Sequence, residues 1–173
     1  MLNNTKFTLL FLWMCFSINA QKKMMEIPKP NAQQLAWQQA EFGVVFHYDL
    51  HVFNPSKYSQ PENRITPVVD YTIFNPPQLD VEQWVLAAKS AGAKFAILTV
   101  THETGFALFQ SEVNPYSLKA LKWRDGKADI LKDFVDACRK HDIKPGVYLG
   151  IRWNSFFGVR DFKVDGTGEM QKQ

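Results

Sequence analysis

Three short runs of apolar residues divide the chain, and each has the composition of a buried strand. The runs cover residues 42–48, 95–100 and 146–151, and they are rich in valine, isoleucine, leucine and aromatic residues. Continuous apolar runs of this length are typical of parallel strands that are covered on both faces. The pattern therefore predicts a parallel sheet with three strands in this chain.

Amphipathic helices lie before and between these runs. Asn31 is the predicted N-cap of a helix through Ala40, Asp80 caps a second helix that ends before Gly92, and Asp129 caps a third. The apolar faces of the second and third helices consist of Val81, Trp84, Val85 and Ala88 and of Ile130, Leu131, Phe134, Val135 and Cys138. The order of elements is therefore helix, strand, helix, strand, helix, strand.

The connections have an asymmetry that indicates the fold class. Long segments, residues 49–79 and 103–127, follow the first two strands, whereas only about two residues lead from each helix back to a strand. A (β/α)8 barrel builds its site from the loops after its strands. We therefore predict an α/β fold of the TIM-barrel type and not a doubly wound sheet. Such a barrel needs roughly 250 residues. We therefore expect residues 42–173 to hold about three of eight β/α units, truncated at the C-terminal end of a longer protein.

Composition and charge exclude several classes of partner. The 20 basic and 17 acidic residues are interspersed and give a net charge of +3, so we expect neither a nucleic acid nor an anionic membrane surface as a partner. Residues 1–20 have the pattern of a cleaved secretory signal, with Lys6 before an apolar run that is shorter than a membrane span. We expect no stable membrane insertion after its removal.

Removal of the signal would also remove Cys15 and leave Cys138 without an intrachain partner. Trp13 and Met14 occupy positions where a lipoprotein signal has small residues, so lipidation is not expected. Residues 21–41 then form a linker and the N-terminal helix. Export without disulfides predicts a bacterial periplasmic or secreted protein.

Candidate functional residues follow the predicted strands. His47 and His102 end consecutive strands, so they are expected at one edge of the sheet, and Glu103 follows directly. Position alone leaves each of the three open between a structural and a functional role. Tyr148 and Trp153 lie within and just after the third strand, where they either pack in the core or offer apolar faces to a sugar ring.

A metal site is a separate hypothesis. His47 and His51 form an H-x-x-x-H pattern, which places two ligands on one face only in a helix, and here it straddles the end of a strand. A metal-dependent hydrolase using His47 and His102 nevertheless stays open. The sequence has no glycine-rich phosphate loop, and we expect no cofactor.

Several separated blocks resemble the amino-terminal half of the barrel of α-L-fucosidases, glycoside hydrolase family 29. The blocks are residues 37–47, 74–84, 91–94, 101–108 and 146–148, within a similarity over residues 33–158. The resemblance implies a retaining exo-glycosidase that removes terminal α-L-fucose from a fucosylated glycan or glycoside by means of two carboxyl groups about 5 Å apart. In the family the nucleophile ends the fourth strand and the acid/base lies further on. This chain is thus expected to lack both and to be inactive alone.

The resemblance assigns His47, His102 and Tyr148 to the sugar pocket, and it also shows two departures. The motif His-Tyr-Asp at His47 stands where the family has His-Trp-Gly, and Glu103 replaces the second histidine of Lys-His-His-Asp-Gly-Phe. Glu103 would then hold a ring hydroxyl as an anionic acceptor, and the sugar could be L-galactose or another relative of fucose. A family Glu-Trp pair cannot be located among residues 58–64. The alternative function is a non-catalytic carbohydrate-binding protein with the same pocket.

Overall fold

The computed structural model describes residues 27–53 and 55–166, so the predicted signal at residues 1–20 lies outside the described residues. The chain divides into two units after Ala36. Helix α1, Ala32–Ala40, contains this boundary, and its start is capped as predicted because Asn31 and Gln34 exchange two hydrogen bonds of 2.9 Å. No helix within the described residues is long and apolar enough to cross a membrane.

A three-stranded parallel sheet forms the centre of the second unit. Its strands are β1 (Gly43–His47), β2 (Phe95–Thr101) and β3 (Lys144–Leu149), in the order β1-β2-β3. Three parallel strands were predicted, and this α/β arrangement is confirmed. The predicted bounds of the third strand, 146–151, were wrong by two residues at each end. Gly150 follows the strand, and its N–H still donates to the Thr101 carbonyl oxygen of β2 at 3.0 Å.

Two long helices pack together and cover one side of the sheet. They are α3 (Val81–Ser90) and α4 (Ile130–Lys140), and each is capped by its predicted aspartate. Phe46 of β1 lies between them, with its ring centroid 5.8 Å from Trp84 and 6.2 Å from Phe134. Val45, the neighbour of Phe46, points to the opposite face and is exposed. The helices therefore bury one face of the strands, as their apolar stripes predict.

The loop after β1 is long but folded. It contains the short helix α2 (Gln60–Asn63) and 3-10 turns at Leu50–Phe53, Pro55–Lys57 and Tyr71–Ile73. Prolines pre-set turn conformations at several of these places, although the sequence showed few helical signals there. The loop after β2 docks its Ala107 beside Ser117, and Leu118 donates to the carbonyl oxygen of Ala107 at 3.0 Å.

A small antiparallel sheet follows β3, in a segment where the sequence predicted no strand. It consists of β4 (Trp153–Asn154), β5 (Val159–Arg160) and β6 (Lys163–Val164). Two-residue strands are too short to show a periodic pattern, which is why the sequence did not reveal them. The turn between β5 and β6 has positive φ at both central residues, Asp161 and Phe162, as a type I′ hairpin requires.

Candidate functional site

Three of the predicted site residues meet at the carboxyl edge of the parallel sheet. His47 is the last residue of β1, His102 follows the last residue of β2, and Tyr148 lies near the end of β3. The His47 and His102 ring centroids are 4.5 Å apart in an edge-to-face arrangement, and that of Tyr148 is 6.0 Å from His102. Parallel strands end at one edge, so residues that are far apart in sequence form one cluster.

The environment of His102 favours its neutral form. Burial lowers the pKa of His102 below its ordinary value of 6.5, and the neighbouring His47 lowers it further. Burial likewise lowers the pKa of His51. A neutral imidazole has one N–H donor and one acceptor nitrogen, so His102 can both give and take a hydrogen bond near pH 7. That combination suits a sugar hydroxyl, which is also donor and acceptor.

Asp49 is a site residue that the sequence reasoning did not single out. Its buried carboxylate accepts hydrogen bonds from Thr104 Oγ1 at 3.1 and 3.2 Å and from the Leu50 N–H at 2.7 Å. Desolvation raises the pKa of Asp49 to about 6. The sequence signals were its position two residues after the histidine that ends β1 and its place in the His-Tyr-Asp motif, where the family has glycine. A polar residue there reaches the same edge of the sheet.

The structure changes the composition of the possible metal site. Ligand atoms of His47, Asp49 and His102 all lie within 4.8 Å of one another. His51, the second histidine of the predicted pattern, is not among these ligands: its Nε2 is 3.0 Å from Asn63 Nδ2, and its ring lies 5.0 Å from that of Tyr58. Two imidazoles and one carboxylate are a donor set that zinc or iron accepts. These donors thus fit a transition metal as well as a sugar.

Glu103 lies in a different environment from the one predicted. Its side chain is only 9% exposed, and its Oε1 accepts hydrogen bonds from Arg64 Nε at 2.8 Å and from Gln60 Nε2 at 3.3 Å. A buried carboxylate needs such partners because an unpaired charge is expensive away from water. Residues 60 and 64 fall in the stretch that sequence reasoning could not assign. One of the two carboxylate oxygens of Glu103 therefore binds the protein itself.

Trp153 is tied to the same group. It lies on β4, and the Arg64 guanidinium carbon is 5.1 Å above its ring centroid, while that of Arg152 is 6.0 Å away. The sequence left open whether Trp153 packs in the core or offers its ring faces to a sugar. Since Arg64 covers part of this ring, Trp153 does not offer both faces to a ligand. Tyr148 is less enclosed, with 46% of its surface exposed.

The arrangement is suited to binding hydroxyl groups. His47 and Tyr148 are exposed and His102 is half-buried, so a ligand can reach their polar atoms. The two carboxylates of the site, Asp49 and Glu103, are both buried and both engaged in hydrogen bonds within the protein. Recognition of a polyol is therefore the chemistry that these side chains carry directly.

Comparison with known proteins gives a consistent result. The family model described as Alpha-L-fucosidase matches residues 2–154. Alpha-L-fucosidase 1 of Arabidopsis thaliana is 35% identical over 123 residues, which cover 71% of this chain and 23% of that protein. The chain thus spans about a quarter of the length of this curated relative.

Solved structures agree with the family match. A Bacteroides thetaiotaomicron protein assigned as an alpha-L-fucosidase is 60% identical and superposes with a TM-score of 0.78, covering 85% of this chain and 34% of that one. Alpha-L-fucosidase AlfC from Lactobacillus casei, in complex with its α-L-fucose product, is 28% identical with a TM-score of 0.60, covering 69% and 41%. The family model matches most of the chain, and sheet and cluster agree with it. The chain therefore belongs to the α-L-fucosidase family of glycoside hydrolases.

Proposed function

We propose that this chain forms the amino-terminal part of the catalytic barrel of a retaining exo-glycosidase that hydrolyses terminal α-L-fucosyl residues or a closely related sugar. The single observation that carries the proposal is the cluster of His47, His102 and Tyr148 at the carboxyl edge of a parallel sheet. Membership of the α-L-fucosidase family supports it, as does the α-L-fucose product bound to the structurally similar AlfC.

In this proposal the described residues bind and orient the sugar. Neutral His102 donates one hydrogen bond to a ring hydroxyl and accepts another, and the exposed His47 and Tyr148 contribute further polar contacts. The retaining reaction needs a nucleophile and an acid/base about 5 Å apart. Neither role fits Asp49 or Glu103, since both carboxylates are buried and hydrogen-bonded within the protein. We assign both roles to the part of the relatives' length that this chain does not span.

The proposal is tested with the full-length protein on aryl α-L-fucoside and aryl α-L-galactoside substrates. These two sugars differ only at C6, where galactose carries a hydroxyl that fucose lacks. We expect hydrolysis of at least one with retention of anomeric configuration, observed by NMR of the first-formed sugar. Inversion, or cleavage of neither substrate together with cleavage of an unrelated glycoside, would contradict it.

A non-catalytic carbohydrate-binding protein is the alternative within the same pocket. It is favoured by the hydrogen bonds that Asp49 and Glu103 already make within the protein. Titration calorimetry with L-fucose separates the two functions. Binding without turnover by the full-length protein supports the alternative.

A metal-dependent hydrolase is a second candidate, favoured by the convergence of His47, Asp49 and His102 within 4.8 Å. It predicts one equivalent of zinc or iron in the purified protein and loss of activity after chelation. A metal-free preparation that still cleaves its substrate excludes this function.

We also propose that the protein is exported and acts in the periplasm or outside the cell. The support is the signal pattern of residues 1–20. N-terminal sequencing of the protein recovered from periplasmic and secreted fractions should begin near Gln21. A protein that retains residues 1–20 in the cytoplasm contradicts the proposal.

A further inference from the structure

We propose that Glu103 is a positioning residue that does not touch the substrate, and that it aims Arg64, which donates hydrogen bonds to a hydroxyl of the bound sugar. The inference rests on the proposed function and deepens it by naming a further specificity-determining residue. Arg64 takes over the recognition role that the sequence assigned to Glu103.

Glu103 joins the loops that follow all three strands. Its side chain accepts from Arg64 and Gln60 of the loop after β1. Its backbone carbonyl oxygen accepts from the N–H of Ser155, in the segment after β3, at 2.9 Å. Gly105, two residues on, lies so close to Asn154 that a Cβ atom there would be 2.1 Å from its Oδ1. The three loops are therefore held together at the residue that departs from the family motif.

Arg64 is fixed on two sides and open on the third. Its Nε donates to Glu103 at 2.8 Å, and its guanidinium lies 5.1 Å over the centre of the Trp153 ring. A guanidinium has five N–H donors in a rigid plane, and this bond uses only the one on Nε. The side chain keeps 34% of its surface exposed. These two contacts therefore hold the N–H donors on the two Nη atoms in a fixed orientation beside β4, which carries Trp153. Binding a ligand then costs little side-chain entropy.

The position of Arg64 relates it to the histidine cluster. Glu103 directly follows His102 in the chain, and the charge of Arg64 is close enough to contribute to the lowered pKa of His102. Because Glu103 compensates that charge, the pair presents donors with no net charge. Such a pair suits a neutral hydroxyl oxygen better than a carboxylate or a sulfate. The ligand chemistry that fits is therefore a hydroxyl of a neutral sugar.

The test uses the full-length protein and four variants: Arg64→Lys, Glu103→Gln, the double variant, and Asp133→Asn as a matched control. Asp133 forms an arginine–carboxylate pair of 3.0 Å with Arg124 on the helix layer, away from the site. Michaelis constants and turnover numbers are measured on the aryl glycoside that the wild type cleaves best. Lysine keeps the charge of Arg64 but loses the planar fork, and glutamine keeps the shape of Glu103 but loses its charge.

We expect each single site variant to raise KM about tenfold with kcat changed less than about threefold, because the lost contact holds the sugar in both ground and transition states. The double variant should be no worse than the worse single variant, since both changes remove one contact. Asp133→Asn should match the wild type. A purely structural role would lower the amount of active enzyme and leave KM unchanged.

Three results would overturn the inference. The first is an unchanged KM in Arg64→Lys. The second is additive effects on KM in the double variant. The third is a KM that rises in Glu103→Gln but not in Arg64→Lys, which would make Glu103 the direct contact. If Glu103→Gln does not fold, Arg64→Lys and Arg64→Gln decide the question, since Arg64 is partly exposed.

Failure of the proposed function is recognised separately, because the wild type would then cleave no aryl glycoside. In that case calorimetry with L-fucose replaces the kinetics. Weaker binding by Arg64→Lys than by the wild type supports the contact. Equal affinity, or no affinity of the wild type, overturns it.

Discussion

Two ion pairs, each between a basic side chain and a carboxylate, lie in opposite environments. Glu103 and Arg64 meet at 2.8 Å between loops at the carboxyl edge of the sheet, where the glutamate side chain is 9% exposed. Lys132 and Asp136 are four residues apart on α4, and their side chains are 71% and 54% exposed. In the buried pair, the contact between Glu103 and Arg64 replaces the water contacts that both groups lost on folding. In the exposed pair, water still solvates Lys132 and Asp136 and competes with the contact between them.

The same contrast holds for the two regions as a whole. The helix layer buries apolar residues, among them Phe134 and Cys138 of α4, and keeps its charges at the surface. The loops at the carboxyl edge bury Asp49, Glu103 and Thr104. Burying polar groups does not favour stability by itself. The loops also bury large apolar side chains, among them Phe74, Phe106 and Leu118, so they contribute to the core as the helices do. The difference between the two regions is that the loops bury polar groups as well.

The largest expected effect is on stability at Glu103. Glu103→Ala removes the acceptor for Arg64 and Gln60, so it should lower the free energy of unfolding by about 2–3 kcal/mol, the cost of breaking a largely buried pair with one partly exposed member. Urea unfolding followed by circular dichroism measures the change. If Glu103→Ala lowers the free energy of unfolding no more than a surface substitution does, the buried pair contributes no more to stability than the exposed pair.

Asp49 should give the free energy of unfolding a distinctive pH dependence. The unfolded aspartate loses its proton near pH 3.8 and the folded one near pH 6, so between these values the folded state binds more protons. The contribution of Asp49 to stability therefore falls as the pH rises through this window, by at most about 3 kcal/mol.

The measurement for Asp49 is the difference in unfolding free energy between Asp49→Asn and the wild type, at intervals from pH 4 to pH 7.5. We expect this difference to move in favour of the variant as the pH rises. Taking the difference cancels His51 and His102, whose lowered pKa values make stability fall as the pH drops below 6.5. A difference that does not vary with pH would place Asp49 in contact with water.

His102 should affect binding more than stability. In the full-length protein, His102→Ala should weaken sugar affinity about tenfold with little change in Tm, because the ring is half-buried and lies beside His47 in the proposed sugar pocket. Since burial lowers the pKa of His102, wild-type affinity should persist as the pH falls to 6.5. His141→Ala, on the helix layer, is the control. Loss of folding in His102→Ala would make His102 structural.

The smallest effect is expected on the exposed helix. Asp136→Asn removes the partner of Lys132, which solvent replaces at once, so neither Tm nor KM should change measurably. Thermal unfolding at low and at high salt tests this expectation. A clear, salt-dependent loss of Tm would mean that surface pairs contribute more to this protein than their exposure indicates.

The sequence by itself determined the order of the three strands and the helices around them. Apolar runs gave the three parallel strands, and Asp80 and Asp129 marked the starts of α3 and α4, because hydrophobic period and capping are local properties of the chain. It also put His47 and His102 at one edge, since that follows from strand polarity, and the family resemblance added Tyr148 to the pocket. The bounds of β3 and the short sheet β4-β5-β6 were missed, because they depend on hydrogen bonds between distant segments.

Only the tertiary structure decided which polar groups are partners. Nothing local in the sequence indicates that Arg64 reaches Glu103, 39 residues away, or that Thr104 reaches Asp49 across 55 residues. Such pairs form when loops of irregular conformation fold over one edge of the sheet. No periodic pattern in the sequence predicts which loop residues will then meet. The physical reason is that burial, and not residue type, sets whether a carboxylate faces a ligand or the protein.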